Sequence, residues 1–289
     1  MTPSDSKPFK ITSKAAIACV AGLLASTALA LLAWPQADRA PAPFPAPEVI
    51  AIPAGTISYR PFGSFEKAGK AQTPATVPTQ VNGIAIMKYQ VSRAQYGACV
   101  AAGACDPGPS SGADLPQTQV NWTDAHAFAD WYSALTGEAW RLPTDREWQL
   151  AAAERYGDAV ADPGDLDPGE RMLANYKAGV LLRGTASPTL RPAGGFGVNS
   201  RGVADMAGNV WEWTDGCMES GTLNPDGTIA RSEPYCWVRI AGGRHRAAIV
   251  DFIRDASVGG CAVGMPPDHL GFRLVRDTAG TRRRWLAFL

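Results

Sequence analysis

The chain has 289 residues, 46% of them hydrophobic, and its 27 basic side chains balance 27 acidic ones. That length holds one large domain or two small ones with a proper core, and zero net charge removes the electrostatic case for a nucleic-acid partner. The 30 glycines and 23 prolines point away from a helical bundle and towards a loop-rich fold.

The N-terminus has the pattern of an export segment. Lys7, Lys10 and Lys14 precede an uncharged, largely apolar run at residues 15–34, and about 20 such residues span a bilayer as a helix. Positive charge on the near side keeps that end in the cytoplasm and sends the rest outward. Two versions compete: cleavage after Ala28-Leu29-Ala30, which releases a soluble periplasmic protein, or retention as a signal anchor in the inner membrane. The apolar residues that continue past the possible cut favour the anchor. Residues 35–48 alternate alanine with proline and form a semi-rigid spacer. The folded domain is expected at 49–277, with a basic tail at 278–289 that includes Arg282, Arg283 and Arg284.

Within the domain, three helices are marked by their caps. Ser92 and Gln95 form a capping box before Tyr96, Cys99 and Val100; Thr123 starts a second helix that stops at Gly137; Thr144 and Glu147 form another box, with Gly157 as the stop. Short strands are expected at 49–52, 84–89, 237–241, 249–254 and 270–275, whereas residues 158–201 show little periodicity. Five cysteines follow the export segment, in a compartment that favours disulfides. Cys99 and Cys105 bracket a short turn and suit a local bridge. Cys217 and Cys236 flank a Gly/Asn/Asp-rich loop and suit a second, which leaves Cys261 free.

The densest motif is Asp205-Met206-Ala207-Gly208-Asn209-Val210-Trp211-Glu212-Trp213. Two carboxylates around a glycine turn could offer a hard cation the oxygen set it needs; the plainer reading is a turn with two packed tryptophans, and both can hold. Other motifs stand around it in a fixed order: Tyr89-Gln90-Val91-Ser92-Arg93-Ala94-Gln95-Tyr96, Val120-Asn121-Trp122-Thr123-Asp124-Ala125, Arg141-Leu142-Pro143-Thr144-Asp145-Arg146-Glu147-Trp148, Gly242-Gly243 and Leu270-Gly271-Phe272-Arg273. Together they resemble the formylglycine-generating enzyme family, also called sulfatase-modifying factors. The resemblance implies a single α+β domain, a loop-rich variant of the C-type-lectin-like fold. It implies a structural calcium held by the side chains of Asp205 and Glu212 with the carbonyls of Gly208 and Val210. A second calcium site would use Asn175, but its usual downstream acid is not evident in residues 181–192.

The oxidising members of that family carry two cysteines after the glycine pair, which bind copper(I). Here the matching positions are Ala247 and Phe252, and Arg244 stands where the family has a small serine. Copper-dependent oxidation of a peptide cysteine is therefore not expected. What remains around the expected cleft is polar: Arg244, His245, Arg246, Asp251 and Arg254. These are the candidate site residues, with Arg246 and Arg254 expected to serve a ligand, and the glycine pair expected to let it approach closely. His126 is expected to cap or pack. The resemblance and the export segment together suggest a maturation or accessory factor for a periplasmic redox enzyme such as a nitrite reductase. A tailoring oxidoreductase acting on a siderophore-type small molecule and a non-catalytic binding module are the alternatives. The expected partner is an exported protein or a small-molecule substrate.

Overall fold

The computed structural model describes residues 46–157, 189–244, 246–250 and 265–277. The expected export segment, Asn175, His245, Asp251, Phe252, Arg254 and Cys261 lie outside the described residues.

In chain order the elements are β1 (Val49–Ile52), β2 (Gly55–Tyr59), β3 (Gly63–Lys67), β4 (Lys70–Ala71), β5 (Val77–Val81), β6 (Ile84–Met87), α1 (Arg93–Ala101), α2 (Trp122–Thr136), β7 (Trp140–Arg141), α3 (Asp145–Ala152), β8 (Trp211–Leu223), β9 (Ile229–Gly242), β10 (Arg246–Val250), β11 (Leu270–Gly271) and β12 (Val275–Arg276). One sheet runs β1-β6-β12-β7, so the first and last strands of the domain share β6 as a neighbour. That strand is buried along its whole length, as expected for an apolar strand paired on both sides. The second sheet runs β10-β9-β8-β3-β4, with β11 parallel to the base of β8.

Each of the three helices among the described residues begins with a reciprocal capping box. Ser92 pairs with Gln95 and Thr144 with Glu147, as read from sequence. The second helix differs: Asn121, not Thr123, is its cap, exchanging bonds with Asp124. The third also differs, because α3 stops at Ala152 and Ala153 turns into positive φ. Gly157 ends no helix; its N–H instead reaches the carbonyl of Arg244. The helices pack through aromatics, Tyr96 stacking on Phe128 at 6.0 Å and Phe272 meeting Phe128 edge-on at 5.4 Å.

Glu147 has a second task. It takes a bidentate bond from Arg141 at 2.7 Å on each oxygen and accepts from Thr144 N–H at 2.8 Å. Burial alone would raise its pKa, but Arg141 and the Thr144 N–H together hold it below the usual carboxylate range. A carboxylate depressed on folding stabilises above its unfolded pKa and loses that contribution as pH falls through the folded value. Chemical denaturation from pH 6 to 3 should thus show an acid loss of stability that is smaller in Glu147→Gln. An identical acid limb in that variant would contradict this role.

The long β8–β9 hairpin is where sequence and structure part. Only its base is buried; from Asp215 onward most positions are exposed or half-buried. Three register shifts interrupt its ladder. Without a continuous buried face there is no alternating pattern to find, so only 237–241 was expected as a strand there.

Candidate functional site

The base of β8 is organised around one buried ion pair. Arg273 donates from Nε and Nη2 to the two oxygens of Glu212 at 2.6 and 2.7 Å. Its remaining N–H groups go to the carbonyls of Met87, Lys88 and Ala204. All five guanidinium donors thereby have an acceptor. Both side chains are sealed from water, 0% and 1% exposed. Glu212 also accepts from Trp148 Nε1 at 2.9 Å and Gln90 Nε2 at 2.8 Å. Each carboxylate oxygen therefore holds two donors, which uses the acceptor capacity of the group. Gln90, Trp148 and Arg273 were visible in sequence only as members of ordered motifs; nothing in their local pattern assigned them to Glu212.

A calcium at Asp205, Gly208, Val210 and Glu212 remains a proposal: the Gln90 amide nitrogen bonds both Glu212 and the Gly208 carbonyl, at 2.8 and 3.2 Å, so an ion shared by these two groups would have to displace it. Asp205 is engaged elsewhere: its oxygens accept the N–H groups of Gly194 and Phe196 at 2.6 and 2.8 Å, tying down the turn before β8. Among the described residues no cluster of three His, Cys, Asp or Glu side chains is found. Melting in EDTA and in calcium tests that proposal: a fall in EDTA that calcium restores would show an ion in place of Gln90, and equal melting temperatures would contradict it.

The turn itself is unusual in its backbone. Asp205, Ala207 and Asn209 all adopt positive φ, between 57° and 68°, each at a cost on the order of 1–2 kcal/mol for a residue with a Cβ. Asn209 is held there by its side-chain amide, which exchanges two bonds with the backbone of Arg191. Residues 207–211 then line a depression together with Gly243 and Arg244.

The glycine pair has a different reason from the one expected. A Cβ on Gly242 would fall 2.4 Å from the Trp148 indole, and one on Gly243 would fall 2.7 Å from that of Trp211. The close approach is by the protein's own tryptophans, so the pair packs the strand on the core.

The candidate polar residues separate. Arg244 is exposed and sits on the depression, with no ion pair among the described residues. Arg246 is 1% exposed at its side chain and bonds Asp145 at 3.0 Å. Its guanidinium also lies over the rings of Tyr59 and Phe62 at 5.4 and 5.1 Å. Burial, reinforced by the Asp145 carboxylate, pushes the Tyr59 phenol well above its ordinary range, so it stays neutral. Arg246 thus belongs to the core, which corrects its assignment to a ligand. Ala247 faces Ala241 across the β9–β10 ladder. His126 packs, its ring 3.8 Å from Trp122.

The sulfatase-modifying factor enzyme 1-like domain model matches residues 35–278. The chain belongs to that family. Among curated members, it is 31% identical over 178 residues to the mouse inactive C-alpha-formylglycine-generating enzyme 2, covering 57% of this chain and 52% of that protein. It is 29% identical over 180 residues to the formylglycine-generating enzyme of Mycobacterium tuberculosis, covering 56% and 57%. The chain thus spans about half the length of these curated relatives. A shorter match, 33% identical over 114 residues and covering 35% of this chain and 22% of the other, is to hercynine oxygenase of the same organism. Among solved structures, the domain overlays on PvdO from Pseudomonas aeruginosa with a TM-score of 0.46 and 20% identity, over 80% of this chain and 95% of that one. As a sulfatase-modifying factor-like domain, it has a mixed helix-and-sheet fold with the two disulfides Cys99–Cys105 and Cys217–Cys236.

Proposed function

We propose that this sulfatase-modifying factor-like domain is a non-oxidising recognition domain, working as an exported maturation or accessory factor. The observation that carries the reading is the pairing of Ala247 with Ala241 beside a depression whose one charged wall is the exposed Arg244. A soft copper(I) ion needs thiolates, and an alanine at the first of the two copper positions and a phenylalanine at the second cannot supply them. An exposed guanidinium on a rigid floor suits a carboxylate, which it can grip with two parallel bonds. The favoured ligand is an extended acidic segment of an exported polypeptide. Two disulfides support an oxidising compartment.

Two results test this. Incubated with copper and a sulfatase-type cysteine peptide, the protein should form no formylglycine; appearance of the aldehyde would overturn the non-oxidising reading. On an array of extended peptides, binding should follow acidic residues and be lost in Arg244→Glu. Equal binding to acidic and basic peptides would sink the recognition reading.

A further inference from the structure

The disulfide Cys217–Cys236 joins β8 to β9 where their ladder is broken. Cys217 faces Arg239 and Met218 faces Tyr235, so Cys236, Trp237 and Val238 face no residue of β8. The two cysteines consequently differ in exposure. Cys236 is exposed and Trp237 next to it is 75% exposed, whereas Cys217 is half-buried.

They differ in electrostatics as well. Arg239 points Nη1 at Cys217 Sγ, 3.1 Å away. Its guanidinium carbon is held over the Trp122 ring, 3.6 Å from the ring centroid. That indole is itself fixed by a bond from its N–H to the Thr214 carbonyl at 3.1 Å and by the His126 ring on α2. One sulfur is therefore open to attack, and the other carries a fixed cation. Cys99 of the other disulfide is wholly buried.

We propose that Cys217–Cys236 is a thiol–disulfide exchange site, with Cys236 as the sulfur attacked and Cys217 as the leaving group. An incoming thiolate RS⁻ forms a new S–S bond to Cys236 as the Cys217–Cys236 bond breaks, and the electron pair goes to Cys217 as a thiolate against Arg239. A second substrate thiolate then attacks the R sulfur of the mixed disulfide and frees the Cys236 thiolate. The balance is two substrate thiolates oxidised to one disulfide and the protein disulfide reduced to two thiolates, with no other oxidant. A neighbouring cation lowers the pKa of a cysteine thiol, and a leaving thiolate of lower pKa departs faster. The ligand class is a thiol, carried either by a cysteine-containing polypeptide or by a small molecule.

The test uses the oxidised full-length protein and two probes, reduced glutathione and a peptide with two cysteines, at equal thiol and fixed pH. Samples are quenched with an alkylating agent and mapped by mass spectrometry. The expected early product has the adduct on Cys236, alkylated Cys217 and an intact Cys99–Cys105 bridge. Arg239→Gln should slow the reaction about tenfold, while Arg239→Lys, which keeps the charge, should stay nearer to wild type. Faster reaction of the peptide assigns a polypeptide substrate, and faster reaction of glutathione a small thiol. An adduct on Cys217, reduction no faster than at Cys99–Cys105, or an unchanged rate in a folded Arg239→Gln protein would overturn the proposal.

Discussion

Arg273→Ala is expected to cost about 3–5 kcal/mol, the range for stranding one partner of a buried ion pair. That is a large part of the ~5–15 kcal/mol by which a domain is usually stable. The arginine is 0% exposed and binds both oxygens of Glu212. It also ties Met87, Lys88 and Ala204 to the base of β8 through their carbonyls. Its removal leaves Glu212 charged and buried with only neutral donors from Trp148 and Gln90, and takes a donor from three carbonyls, of which that of Lys88 keeps the Ala204 N–H. Arg273→Lys should recover little, since an ammonium cannot reproduce the planar fork. The double change Glu212→Leu with Arg273→Met should cost less than Arg273→Ala alone, because no unpaired charge remains. Denaturant unfolding measures all three, and an Arg273→Ala protein within about 1 kcal/mol of wild type would contradict this account of the motif.

Arg246→Ala is expected to be nearly as damaging, again about 3–5 kcal/mol. The substitution leaves the Asp145 carboxylate, 4% exposed, with the Gln149 amide at 3.0 Å as its remaining side-chain donor. It also opens a space between Tyr59 and Phe62 that the guanidinium now fills. Arg244→Ala, two residues earlier, should change stability by less than about 0.5 kcal/mol, as for most exposed positions. Thermal unfolding of the two variants side by side reads the contrast directly. Equal melting temperatures would mean that Arg246 is not part of the core.

These two arginines show what was legible in the sequence. The boxes of Ser92 and Thr144 could be read because they are local, set by residues three apart; that of Asn121 with Asp124 is as local but was passed over for Thr123, two residues in. Ordered motifs gave the family, and loop closure pointed to the disulfide pairs. Whether Arg244 or Arg246 faced the cleft was not readable, because the two are spaced as on one strand face, and only the bend at Gly243 and Arg244 before β10 gives them different surroundings. The partner of Glu212 was hidden for a related reason. An acid beside a glycine turn gives no local sign of Arg273, 61 positions away, which only the tertiary fold brings to it. The β8–β9 hairpin escaped because bulges and exposure erase the alternation that marks a strand.

The central claim, that the depression is a recognition surface with Arg244 as its exposed anchor, is tested most directly by one paired measurement. Wild-type and Arg244→Glu proteins are placed on the same acidic peptide array, with the melting temperature of each recorded. The account predicts that binding is lost while the melting temperature is unchanged; binding that survives the charge reversal, or that falls only together with stability, would contradict it.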